Sequence, residues 1–154
     1  MNKNVIVKQT KKKGKGIFAT RDFKKGEIVL RMNIRKIISK KDISKLSKDD
    51  KGHLGYIGQG RYFVIKFPER FLNHSCNPNV YDKIGKLIAL RNIKKGEEIC
   101  TDYSISGFDN WKMICHCGSK NCRKIIYGNF KKLNAKLRRK YKPYLEEWYK
   151  KEFL

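Results

Sequence analysis

Short apolar runs separated by polar turns run through most of the chain. Val5 to Val7, Ile17-Phe18-Ala19 and Ile28-Val29-Leu30 read as strands, and the last two flank the turn Lys24-Lys25-Gly26-Glu27. Lys11 to Gly16 is a basic glycine loop between the first two. Tyr62 to Phe67 reads as a further strand, and Tyr81-Asp82-Lys83-Ile84-Gly85-Lys86-Leu87 as a hairpin with Gly85 in its turn. The segment from Ala89 to Glu97 echoes the one from Ala19 to Glu27, so one strand-turn-strand unit is used twice. It is too short to be a solenoid repeat, and duplication or two hairpins converging on K-K-G-E explain it equally well. Residues 39–60 are polar with little periodicity and predict a variable insert with one short helix near Ser44 to Asp50. Towards the end the period changes. Phe130, Leu133, Leu137 and Tyr141 recur at helical spacing, and Pro143 suits the first turn of a second helix carrying Leu145 and Trp148. The simplest reading of these two helices is a cap packed on a β domain.

Composition bounds this picture. A chain of 154 residues fits one domain, and an apolar fraction of 40% supplies a small core. The formal net charge of +24 favours polyanions, either nucleic acid or acidic protein surfaces. Lysine outnumbers arginine 29 to 9, however, which is also the trace of an AT-rich genome, and specific phosphate readers tend to use arginine. Residues 123–154 alone hold eleven basic and three acidic side chains, so a partner-binding or nucleic-acid-binding tail competes with the packed cap. Met1 to Gln9 is short and polar, Lys11-Lys12-Lys13 follows, and no run of about 18 apolar residues occurs anywhere. The expectation is a protein with no membrane partner, intracellular, either cytoplasmic or nuclear and chromatin-associated.

Five cysteines then acquire meaning. In an intracellular protein they point to metal rather than disulfides. Cys115, Cys117 and Cys122 stand in C-x-C-x₄-C spacing, and a structural zinc wants four ligands in a tetrahedron. The fourth must come from elsewhere. His116 is wedged between two ligands and is poorly placed, so Cys76 is preferred. Cys100, between Ile99 and Thr101 in an expected strand, reads as a small buried apolar residue. Pattern and composition alone thus describe a basic, mainly β domain with a metal knuckle and a helical tail.

Three separated segments carry more. They are Asn73-His74-Ser75-Cys76-Asn77-Pro78-Asn79, Glu97-Glu98-Ile99-Cys100-Thr101-Asp102-Tyr103 and Cys115-His116-Cys117-Gly118-Ser119-Lys120-Asn121-Cys122. In this order they resemble the SET-domain protein lysine methyltransferases. That family carries N-H-S-C-x-P-N, a G-E-E-…-D-Y segment and a post-SET C-x-C-x₄-C that borrows its fourth thiol from the first motif. The resemblance covers roughly residues 5 to 127. It implies a β-rich α+β fold of several small sheets with a knot-like crossing of the first two motifs. A SET domain over 1–110 (with the insert at 39–60), a post-SET zinc segment over 111–128 and a C-terminal helical cap over 129–154 are the expected divisions.

The resemblance also implies the chemistry. Methyl transfer from S-adenosylmethionine to a lysine amine is a displacement at carbon, so catalysis is mostly alignment of a neutral amine. A free lysine has a pKa near 10.4, and an apolar channel disfavours its charged form. Tyr103 is the implied catalytic residue, orienting the amine and accepting weak C–H···O contacts from the methyl group. Asn73, by its side chain, and His74, largely by its backbone, would hold the cofactor, with Arg70 beside them. Gly14-Lys15-Gly16 resembles the loop whose backbone approaches the methionine moiety, an approach that glycine permits. Tyr127, five residues after the last cysteine, matches the family aromatic that lines the lysine channel at the cofactor. Cys76, Cys115, Cys117 and Cys122 would hold one structural zinc. Two departures stand out: Lys15 where relatives often have Trp, and Thr101 where many have Phe or Tyr. The smaller Thr101 implies a roomier channel. The substrate is a protein presenting a lysine, a chromatin protein such as a histone being favoured because bound DNA would offset the +24 charge. Competing readings are a non-catalytic basic SET-like module and a zinc-stabilised nucleic-acid-binding protein.

Overall fold

A computed structural model describes residues 3–34, 36–83, 85–105 and 107–154, together with the backbone but not the side chain of Phe108. Ile84 of the expected hairpin turn and Met1 lie outside the described residues. The strands in chain order are β1 (Val5–Gln9), β2 (Lys15–Ala19), β3 (Ile28–Arg31), β4 (Ile38–Ser39), β5 (Leu54–Tyr56), β6 (Arg61–Val64), β7 (Asn73–His74), β8 (Val80–Lys83), β9 (Lys86–Ala89), β10 (Glu98–Thr101), β11 (Phe108–Ile114) and β12 (Ile125–Asn129). The helices are α1 (Lys48–Lys51), α2 (Ala135–Tyr141) and α3 (Glu147–Phe153), with short 3₁₀ turns between elements. The strands form four small sheets, in the orders β1-β2-β10-β7, β3-β9-β8, β4-β6-β5 and β11-β12. The protein is therefore mainly β, with its longer helices collected at the C-terminus.

The repeated K-K-G-E units pair with each other. Phe23 bridges Ile93. Around that bridge the hydrogen bonds come in matched sets: Gly96 N–H to Ala19 O and Gly26 N–H to Ala89 O, both at 2.8 Å. Lys25 N–H donates to Asn92 Oδ1 at 2.9 Å, and Lys95 N–H to Asp22 Oδ1 at 2.8 Å. Gly26 and Gly96 have φ of 87° and 83°, where a side chain would be strained, which explains why each unit ends its turn on glycine. The two units bury Ala19, Phe23, Ala89 and Ile93 against Ile17, Val29, Leu30, Val80, Leu87 and Ile99 in the main core.

The insert holds more structure than expected. A 3₁₀ turn over Lys40–Lys45 and α1, capped by the Ser47 side chain, bracket the expected helix. They are followed by β5, which pairs with β6. The tail also differs. The helical spacing from Phe130 is broken at Asn134, whose side chain accepts from Leu137 N–H at 2.9 Å and starts α2. Pro143 sits in a 3₁₀ turn, Leu145 is extended, and α3 begins afterwards. The pieces still pack as a cap. Phe130, Leu133, Tyr141, Leu145 and Tyr149 are buried together with Ile105.

Candidate active site and metal centre

The expected crossing takes the form of a short parallel pairing. β7 lies along β10, with Asn73 opposite Cys100 and His74 opposite Thr101. Beyond it Ser75 N–H donates to Thr101 O, Asn79 N–H to Cys100 O, and Cys100 N–H to Asn79 Oδ1. Asn79 is buried and its amide also reaches Glu98 O at 2.8 Å. This asparagine locks the two motifs together, so the N-H pair and the D-Y pair meet at one end of the sheet.

Cys76 leaves that crossing towards the loop between β11 and β12. The ligand atoms of Cys76, Cys115, Cys117 and Cys122 all lie within 4.8 Å of one another. Cys76 Sγ and Cys115 Sγ are 3.8 Å apart. A tetrahedron with arms of about 2.3 Å has edges of about 3.8 Å, the geometry of a closed zinc site. Backbone N–H groups point at the sulfurs, from Arg123 to Cys76 and from Cys76 to Cys117. Burial pushes the Cys76 and Cys115 thiols up. Burial also works on Cys117, but the Ser119 hydroxyl and the Cys76 N–H outweigh it and hold that thiol down to about 6. Four thiolates packed this closely would need a cation to offset their charge. The donor set fits zinc. His116 is exposed and outside the group, and Cys100 is buried in β10 with its thiol pushed up to about 12 by burial.

His74 connects this centre to Tyr103. Its Nδ1 accepts from Tyr103 N–H at 3.3 Å, so the neutral ring carries its proton on Nε2, which faces Cys76 Sγ at 3.3 Å. Burial pushes the His74 pKa down to about 4. Tyr103 is half-buried, and its hydroxyl donates to Leu72 O at 2.7 Å. Its ring lies 5.3 Å from the His74 ring and 6.3 Å, edge-on, from Trp111 of β11. Burial pushes the phenol up to about 12, so it stays neutral.

On the other side of Asn73 is the glycine loop. Asn73 Nδ2 donates to Lys15 O at 3.0 Å and to Glu98 Oε1 at 2.9 Å. Lys13 Nζ donates to Glu98 Oε2 at 2.7 Å. A Cβ at Gly16 would stand 2.8 Å from Glu98 Oε1 and 3.0 Å from Asn73 Nδ2, so only glycine lets these groups converge. The Lys15 carbonyl, the Glu98 carboxylate, the Asn73 amide and the Lys13 amine, brought together beside β2, fit a small zwitterion such as the amino-acid end of S-adenosylmethionine. Lys15 Nζ lies 5.5 Å from the Phe71 ring centroid, a cation–π contact where a Trp would stack.

Two expected residues stand apart from this group. The Arg70 guanidinium turns to the insert, with one nitrogen 2.7 Å from each Asp49 oxygen. Tyr127 is exposed; by strand alternation its side chain leaves the face on which Ile126 packs against the thiols. Thr101 lines a small cavity shared with Asp82, Ile105 and the cap residues Tyr144, Trp148 and Tyr149. Sequence reasoning missed the roles of Lys13, Glu98, Trp111 and the pair Asp102–Arg123. Asp102 is 1% exposed, accepts from Arg123 Nη2 at 2.7 Å and from Ser104 N–H at 3.0 Å, and lies 3.6 Å from His74 Nδ1. The acidic half of D-Y was a legible signal; Arg123, next to the last cysteine, was not.

Comparison with known proteins identifies the family. The SET domain family model matches residues 14–104. The chain is 30% identical over 135 residues to histone-lysine N-methyltransferase trithorax of Drosophila virilis, covering 73% of this chain and 3% of that protein. It is 34% identical over 146 residues to an H3 lysine-36 specific histone-lysine N-methyltransferase of Debaryomyces hansenii, covering 81% of this chain and 19% of that one. A protein of the same description from Eremothecium gossypii is 35% identical over 142 residues, covering 81% and 21%. The chain thus spans about a fifth or less of these relatives. With the family model covering more than half its length, the chain belongs to the SET-domain family.

Proposed function

We propose that the protein is an S-adenosylmethionine-dependent protein-lysine N-methyltransferase with one structural zinc. The observation that carries this reading is the meeting of Asn73, His74 and Tyr103 at one end of β10, with the glycine loop on one side and four thiols on the other. S-adenosylmethionine, when bound, supplies an electrophilic methyl carbon on a sulfonium sulfur. Lys15 O and the Glu98 carboxylate would accept from its ammonium, and the Lys13 amine would pair with its carboxylate. Tyr103 stays neutral at any physiological pH, holds its hydroxyl on Leu72 O, and presents an apolar ring that disfavours a charged lysine side chain. His74 fixes the Tyr103 backbone and ties it to Cys76. Zinc would close the β11–β12 hairpin on this site through Cys76, Cys115, Cys117 and Cys122, with no coordination position left open.

A protein presenting a lysine is the substrate class, and a histone or other chromatin protein is favoured by the names of the relatives. A chromatin-associated or nuclear location follows from that substrate. Among the described residues, no helix is long and apolar enough to cross a membrane. The test is calorimetry. The wild type should bind S-adenosylmethionine, and Asn73→Ala should bind it at least tenfold more weakly while still folding, the loss of a hydrogen bond to a charged group. Unchanged affinity in the variant, or no binding by the wild type, would favour the non-catalytic module.

A further inference from the structure

We propose that the C-terminal cap carries a docking face for the phosphate backbone of double-stranded DNA, built on α2 and the turns on either side of it. This face is independent of the methyl-transfer reading. Lys131, Lys132, Lys136, Arg138, Arg139, Lys140 and Lys142 fall within twelve residues, and the chain has no carboxylate side chain between Asp109 and Glu146. All seven are exposed. Elsewhere on the surface cations meet carboxylates: Arg21 with Glu27, Lys45 with Asp42, Lys66 with Asp50, Lys94 with Asp22. Among the described residues none of the seven is in an ion pair; Lys140 Nζ rests 5.1 Å from the neighbouring Tyr141 ring centroid.

The same helix is firmly held from inside. Tyr141 is fully buried, and Leu137 packs with it against Leu133 and Phe130. The cations are therefore displayed by a fixed element. At a rise of about 1.5 Å per residue, the seven residues of α2 extend about 10 Å. That matches roughly three phosphates of one strand, spaced about 3.4 Å along the axis.

The chemistry of the face selects its partner. A membrane-surface helix sets apolar side chains beside its cations, but here Leu133, Leu137 and Tyr141 point inward. Single-stranded nucleic acid is held by aromatic stacking, and no exposed aromatic occurs over residues 131–142. A protein interface needs apolar or aromatic anchors at its centre, and this face has none. A phosphate lattice needs only well-spaced cations, and binding gains from counterion release. Arg138 and Arg139 add planar forks that suit phosphate oxygens. Such a face would also relieve a difficulty of the proposed reaction, since a +24 protein repels a free lysine-rich tail but tolerates one lying on DNA.

The test uses the full zinc-loaded chain, without cofactor, and a short mixed-sequence DNA duplex followed by fluorescence anisotropy over a salt series. The cap variant carries Lys136→Gln, Arg138→Gln, Arg139→Gln and Lys140→Gln. A control variant removes the same charge elsewhere, by Lys24→Gln, Lys25→Gln, Lys95→Gln and Lys120→Gln. The cap variant should flatten the dependence of log affinity on log salt by about 3 units, near 0.9 for each phosphate no longer neutralised. The control should flatten it by about 1 unit or less on the same scale. The single variant Arg139→Gln should flatten it by about 1 unit, which keeps the test valid if the fourfold variant misfolds. Equal flattening by cap and control variants, or a wild-type slope in the cap variant, would overturn the proposal. So would wild-type binding to the single strand or to anionic vesicles as tight as to the duplex.

Discussion

The core around the paired K-K-G-E units and the hairpin that carries three of the four clustered cysteines are built on opposite principles. In the first, Ile17, Val29, Leu30, Val80, Leu87, Ile93 and Ile99 are all at most 1% exposed. Each such aliphatic contributes about 1.5–3 kcal/mol of burial, and matched backbone bonds cross-link the two units. In the second, Trp111, Met113, Ile114, Ile125 and Tyr127 are exposed, and among the described side chains only Ile126 is a buried aliphatic beside the thiols. The core can hold its geometry without a ligand. The hairpin has clustered sulfur where a core would have carbon, an arrangement that a bound metal would hold together. Because Trp111 of that hairpin stands against Tyr103, the scaffold and the hairpin meet at the residue proposed to be catalytic.

Removing the metal should break this comparison most completely. Structural zinc sites bind with an apparent ~10–16 kcal/mol at neutral pH in peptide systems. The purified protein should hold one zinc per chain, and Cys76→Ser or chelation should release it. Hydrogen exchange should then lose protection across residues 111–127 while β2 and the buried part of β10 keep theirs. Wild-type zinc content in Cys76→Ser would mean that the fourth ligand lies elsewhere.

A smaller effect is expected at the joint between the two regions. Arg123→Met would leave the Asp102 carboxylate buried without its cation and should cost about 3–5 kcal/mol in denaturant unfolding. Arg21→Met, which breaks an exposed pair with Glu27 on the paired units, should cost less than about 1 kcal/mol. Similar costs for both would show that the joint is no more demanding than the surface. The smallest effect concerns the product. Thr101 is small at a position where the family resemblance implies Phe or Tyr in many members, so the wild type should proceed to di- or trimethyllysine. Thr101→Tyr should shift the product towards monomethyllysine in mass spectra with little change in stability. The cap residues Tyr144, Trp148 and Tyr149 share the Thr101 cavity, so a wild type that stops at monomethyllysine would assign that filling role to them.

Much of this was legible in the sequence because its motifs are local. Strands such as Ile17-Phe18-Ala19 and the Gly85 hairpin followed from alternation and turn chemistry, and the thiol spacing asked for a fourth ligand that the structure brings close at Cys76. What escaped depended on tertiary context. β5 was hidden in the polar insert because its Gly55 is shaped by Phe63, whose ring takes the place of a side chain there. The long helix read from Phe130 ignored Asn134, a capping residue lying between two correctly placed leucines. The Asp102–Arg123 pair joins residues 21 apart that no periodicity links. The partnership of Glu98 with Asn73 and Lys13 likewise exists only once β2, β7 and β10 are side by side.

The central claim is that Tyr103 positions a lysine amine for methylation at a site the zinc hairpin completes. Its most direct test is Tyr103→Phe, which keeps the ring and removes only the hydroxyl bonded to Leu72 O. Wild type and variant, matched for zinc content and for S-adenosylmethionine affinity, are incubated with isotopically labelled cofactor and a panel of basic proteins, and methyllysine is read by mass spectrometry. The expected result is labelled methyllysine with the wild type and turnover lower by about 10²-fold or more in the variant, the scale of a misaligned reactant. Equal turnover by the two proteins, or no methyllysine from a wild type that has bound both zinc and cofactor, would contradict the account.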